Sequence, residues 1–198
     1  MQLIQKIIGP LFIILIAVLI RLFPHAPNFT PIAAMALFGG AYLSKKYSLV
    51  VVFLSLVISD YLLLYIHPFA SNFIDVSKIY SPLAIIHSST VLVYLCFLII
   101  ALIGIWLSSH KSAKNVITAS LFSSILFFFV TNFNFFYPAS LYPKTISGLV
   151  ESYVMALPFF KNTLMGDLFY TSLFFGAFEL LLKYAKRFSY GYLYQKRG

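Results

Sequence analysis

The sequence predicts an all-α membrane protein with six transmembrane helices, and three observations carry that prediction. Of 198 residues, 61% are hydrophobic and only 10% charged, more apolar surface than a soluble core of this size can hide. The apolar residues fall in runs near the ~20 needed to cross a bilayer, separated by polar, often Pro-containing connections. The basic residues sit in those connections and in the tail, as expected of a chain that crosses a membrane repeatedly. The length allows one domain, 1–182, followed by a basic cytoplasmic tail, 183–198.

Segment one covers about Leu3–Leu22, with Lys6 able to snorkel to the interface. It lacks a small-x-small exit and is followed by Arg21 and Phe23, so it reads as a retained helix and not a cleavable signal. Segment two, about Pro31–Leu43, is short, and reaches only ~20 Å at ~1.5 Å per residue. Its Ala36 and Gly40 form a small-xxx-small pair that admits a closely docked helix, from this chain or from a partner. Segment three, Tyr47–Ile66, carries Asp60; a polar loop, His67–Ser81, follows, and Pro82 opens segment four, which runs to Leu107. Segment five is about Val116–Phe133. In the long connection after it, Ile146, Leu149, Val150, Tyr153, Val154 and Leu157 recur at helical spacing, which predicts an amphipathic outer helix at 146–157 ended by Pro158. Segment six is about Thr163–Leu182.

Six spans put both termini on one side. Ten of the 14 lysines and arginines fall on that side, which makes it cytoplasmic. The net charge of +9 therefore reflects topology, and no basic stripe interleaved with aromatics points to nucleic acid. Cys96, the single cysteine, sits within an apolar run, which excludes disulfide and CxxC chemistry. His25, His67 and His87 match no zinc spacing, and neither a metal nor a cofactor is expected.

This orientation gathers the polar residues in the outer half. Arg21 ends span one, and the turn Pro24–Pro31 brings His25, Asn28 and Thr30. Asp60 lies in the outer half of span three and His87 near the start of span four. Asn132 closes span five, Asn134 and Tyr137 follow it, and Asn162, Thr163 and Asp167 begin span six. Three prolines fix φ and remove three donors, so the turn is ordered, and non-helical backbone at this depth survives only against protein or a cavity. An ionisable residue within a span costs about 2.5–3.5 kcal/mol even on the lenient insertion scale, which marks it as a functional candidate. These twelve side chains are the expected walls of an outward-facing solute pocket, with Arg21 meeting an anionic group and Asp60 or Asp167 orienting it.

The stretches RLFPHAPNFTPIAAMALFGGAY (from Arg21), Ser59-Asp60, Thr131–Phe133 and PFFKNTLMGDLFY (Pro158–Tyr170) resemble a family of uncharacterised bacterial integral membrane proteins, over nearly the whole chain. More loosely, the first third is similar to the substrate-binding S components of energy-coupling-factor vitamin transporters. That resemblance implies a six-helix fold with cytoplasmic termini and a substrate held from outside. It also implies docking of small residues, here Ala36 and Gly40, onto a transmembrane coupling protein with ATPases.

The leading functional expectation is thus a substrate-capture subunit in the lipid bilayer, binding a small-molecule solute and doing no chemistry. A ligand-free scaffold or assembly protein is the first alternative. An intramembrane aspartyl hydrolase is the second, since Asp60 and Asp167 are two carboxylates on different spans, and it requires them to share a proton.

Overall fold

The computed structural model describes residues 7–23, 25–63, 89–137 and 140–195. Among them are six α-helices and no strand: α1 (Gly9–Arg21), α2 (Ile32–Tyr42), α3 (Lys45–Leu63), α4 (Thr90–Leu107), α5 (Ala113–Thr131) and α6 (Ile146–Gln195), with one 3-10 turn at Asn134–Phe136. Four of these, α3, α4, α5 and the Ile146–Ala185 part of α6, are long and apolar enough to cross a membrane; α1 and α2 are shorter apolar helices. The loop His67–Ser81, the start of segment four at Pro82, His87 and Lys6 lie outside the described residues.

Local chemistry accounts for two of the helix starts. Pro10 occupies the first turn of α1, where its missing N–H costs nothing. The Ser112 hydroxyl caps α5 by accepting from the Asn115 amide at 3.1 Å. The helices are inside out relative to a soluble bundle. On α3 the buried face is Ser48, Val52, Ser55, Leu56 and Ser59, while Val50, Phe53, Leu54 and Ile58 are exposed. On α5, Ala119, Ser120, Ser123 and Ser124 turn inward and Phe122, Ile125 and Phe129 outward. Small residues at helix interfaces and large apolar ones facing out are what a lipid solvent selects.

The centre is α2. Every residue from Ile32 to Ala41 is buried, and the helix touches α1, α3, α4, α5 and α6. Its closest approach is to α4: a Cβ on Gly40 would stand 2.1 Å from the Ala101 carbonyl oxygen, and one on Gly104 would stand 2.2 Å from that of Leu37. The small-xxx-small pair thus docks a helix of this same chain. Ala36 is 0% exposed and Gly40 faces α4, so neither presents a surface to a partner, which corrects the external docking that the resemblance implied. Shortness and smallness serve one end: only a slim helix fits at the middle of five others. On its other face Phe38 meets the rings of Phe174, Phe175 and Phe178 of α6 at 5.3–6.4 Å.

A second correction concerns 146–157. The outer helix is not separate: α6 runs unbroken through Pro158 to Gln195, past the expected tail boundary at Leu182. Proline removes a single i to i−4 bond, which a helix held on both sides tolerates. The packed face is Gly148, Ser152 and Ala156, whereas Ile146, Val150, Val154 and Leu157 of the apolar stripe are exposed. Ser152 Oγ donates to the Asn132 carbonyl at 2.8 Å and Tyr153 to that of Phe129 at 2.8 Å, tying this first section to the end of α5.

Gly40→Ala should lower stability by about 2 kcal/mol, the scale of overpacking, because its new methyl meets backbone and not a movable side chain. Gly176→Ala, with nothing within 4 Å of the added carbon, should be neutral or stabilising by up to about 1 kcal/mol. Thermal unfolding of the detergent-purified variants reads both.

Candidate functional site

The Pro-rich turn between α1 and α2 builds the site. The Phe29 amide donates to the Ala26 carbonyl at 3.0 Å, closing a turn with Pro27 and Asn28 at its corners. Asn28 has φ 62°, the left-handed conformation required at the third position of a type II turn, and Asn is among the few side chains that tolerate it. The turn lies on α6 at Gly166, where a Cβ would meet the Phe29 Cα at 3.1 Å. Phe29 stacks against Phe169 and Tyr170, with ring centroids at 5.9 and 5.5 Å, and Asn162 Nδ2 donates to the Pro27 carbonyl at 3.0 Å. The first and last of the sequence stretches singled out above are therefore in direct contact. Gly166 serves this packing.

Above that contact is a cavity of about 230 Å³. Its polar wall is Arg21, His25, Asn28, Thr30, Thr163 and Asp167; its apolar wall is Ile32, Ala33, Leu63, Val93, Phe97 and Phe127. Arg21 pairs with Asp60, Nη2 to Oδ1 at 2.5 Å, and Nη1 donates to Ser59 Oγ; the Tyr94 hydroxyl donates to the second Asp60 oxygen. The two side chains of the pair are 16% and 20% exposed. Arg21 thus reaches the cavity with its charge already balanced, and acts there as a donor more than as a free cation. Asp167 is 3% exposed and accepts from Ser124 Oγ at 2.7 Å.

Not all twelve expected residues converge. Six line this cavity, and Asp60 supports it from behind through Arg21. Asn162 spends its amide on the turn backbone. Asn132, Asn134 and Tyr137 line a different cavity of about 280 Å³, with Ser89, Thr131, Tyr142 and Ser152. They serve mostly as backbone ties: Asn132 Nδ2 donates to Phe128, Asn134 Nδ2 to Pro143 and the Tyr137 hydroxyl to Thr131, at 2.7–2.8 Å. Burial pushes the Tyr137 phenol up from its ordinary range, keeping it a donor. His87 lies outside the described residues.

Sequence reasoning missed Ser124 and Tyr94. Ser124 had a signal, since Ser120, Ser123 and Ser124 are three hydroxyls one turn apart in an apolar helix. Tyr94 had none in a chain with 14 tyrosines. The two carboxylates have separate partners, Asp60 with Arg21 and Tyr94, Asp167 with Ser124, and no hydrogen bond joins them. The shared-proton dyad that an aspartyl hydrolase requires is not formed. No group of three His, Cys, Asp or Glu side chains suited to a metal occurs among the described residues. At the opposite end of the bundle, Glu179 accepts from the Tyr42 hydroxyl at 2.6 Å, and Lys111 Nζ stands 4.2 Å above the Tyr42 ring.

Apolar helices packed through small residues around a half-buried ion pair define a multi-helix membrane protein. The chain belongs to the family of unknown function DUF6580, whose model matches residues 1–190. No curated protein and no solved structure matches it.

Breaking the pair from one side should cost about 1–3 kcal/mol, because the partner charge is left half-buried and unmatched. Arg21→Met and Asp60→Leu should each fall by that much, and the double variant should recover most of it; a double-mutant cycle on unfolding temperature measures the difference.

Proposed function

We propose that this protein binds a small polar solute in the Arg21–Asp167 cavity, as a substrate-capture subunit or small transporter resembling an S component. The observation that carries the reading is the cavity's two-faced lining. Six polar groups from α1, the turn and α6 face six apolar side chains from α2, α3, α4 and α5. An apolar wall with a few convergent polar groups is how small-molecule sites are built. The charge asymmetry of the loops supports an opening toward the outside of a bacterial inner membrane.

The volume sets the size of the solute. At about 230 Å³ the cavity lies below the roughly 300–1,000 Å³ typical of drug-sized ligands, which favours a compact molecule over a vitamin. Asn28, Thr30 and Thr163 supply hydrogen bonds, and the Arg21 donors not used by Asp60 and Ser59 face the solute. Docking on a coupling protein with ATPases would then use a surface other than Ala36 and Gly40.

Detergent-purified protein screened by thermal shift against small amines, amino acids, carboxylates and polyols tests this. A solute at 100 times its Kd stabilises by about 2.7 kcal/mol, and that shift should vanish in Ala33→Leu, whose larger side chain fills the cavity. The reading fails if no member of the panel shifts wild type more than Ala33→Leu.

A further inference from the structure

α5 and α6 run antiparallel in a fixed register, and that register exposes a second site. Tyr153 bonds to Phe129, the Phe128 and Phe160 rings meet at 4.5 Å, and Ser124 bonds to Asp167. Beyond these, Val116 and Ile117 share a cavity wall with Phe175 and Gly176. From the Ser124–Asp167 layer to the Val116–Phe175 layer, eight residues back along α5 match eight forward along α6. Between the Ser124–Asp167 layer and the Val116–Phe175 layer, the residues that register brings opposite one another are Ser120 and Thr171.

Both are buried, at 0% and 1% exposure, and neither hydroxyl has a hydrogen-bond partner in the protein. That is unusual for helical Ser and Thr, which ordinarily turn back onto the i−4 carbonyl. Ser123, Thr131 and Thr163 in these same two helices do so, at 2.7–3.1 Å. Ser124 Oγ, meanwhile, has one proton and two acceptors, Asp167 Oδ2 at 2.7 Å and the Ser120 carbonyl at 3.1 Å. Asp167 pairs with no cation among the described residues, unlike Asp60. The layer therefore holds one carboxyl group with no cation beside it and three hydroxyls, two of them orphaned.

We propose that Asp167, Ser124, Ser120 and Thr171 bind a small monovalent metal cation, for which sodium is the probe. All-oxygen donors suit a hard ion, and a single carboxylate balances one positive charge. A divalent ion of this class draws on more oxygens and usually more than one carboxylate. The site lies beneath the cavity and shares Asp167 with it, yet it depends on no solute.

The test is equilibrium binding of radiolabelled sodium, with unfolding temperature, at pH 8 in choline chloride. The full chain is used in lipid nanodiscs without added solute. Sodium should bind one per chain and raise the unfolding temperature by several degrees over equal choline. Thr171→Val, isosteric but without its oxygen, should weaken binding about tenfold or more, and Asp167→Asn should abolish it while remaining folded in choline. Equal temperature shifts with sodium and choline, or undiminished binding in both variants, overturn the site. So does a stability that changes with pH in wild type but not in Asp167→Asn and ignores sodium, since that assigns Asp167 a proton. Ala33→Leu separates this from solute capture: it should leave sodium binding intact.

Discussion

Backbone against backbone at Gly40 and Gly104 is the constraint on which the remaining structure rests. In lipid, helices gain nothing by hiding leucines from their surroundings, so close van der Waals contact must supply the adhesion. Contact with the α4 backbone at positions without a side chain is the closest approach available to two helices, and α2 is short and small enough to be enclosed on every side. Once it is enclosed, α1, α3 and α6 have fixed places around it, and the turn that enters α2 is fixed as well.

That placement decides where polarity can be tolerated. The turn cannot move off α6 because Phe29 and Gly166 interlock, and its own carbonyl at Pro27 is satisfied by Asn162. Arg21, at the end of α1, is thereby held opposite Ser59 and Asp60 of α3, with Tyr94 of α4 closing the set. The outcome is a paired ionic group at one edge of the cavity and a lone carboxyl group, supported by a serine, at the other. The two aspartates look equivalent in sequence. Packing gives them opposite electrostatic situations.

The helical class and the number of apolar segments were legible because hydropathy and loop charge are properties of single segments. So was the convergence of Arg21, His25, Asn28, Thr30, Thr163 and Asp167, since orientation alone puts them at one end. What could not be read was which groups share a space. Asn132 and Asp167 lie at the same end, but sideways position depends on helix rotation, and rotation is set by tertiary contacts. The choice of Asp60 over Asp167 as the partner of Arg21 is of the same kind. The stripe from Ile146 to Leu157 was read with the right period and the wrong meaning. In an aqueous setting an apolar stripe turns inward, whereas here Gly148, Ser152 and Ala156 do so and Ile146, Val150, Val154 and Leu157 of the stripe face out. Pro158 misled because its strength as a breaker assumes water ready to take the freed carbonyl.

The unbroken course of α6 has a mechanical meaning. Fifty residues of helix extend about 75 Å, more than twice the hydrocarbon thickness of a bilayer, so the rod protrudes well past it. Its Asp167 stretch borders the cavity, and some three turns on, Glu179 holds Tyr42 at the far end of α2. A tilt imposed beside the turn is thus delivered, lever-like, to the opposite face of the bundle with no loop between to absorb it.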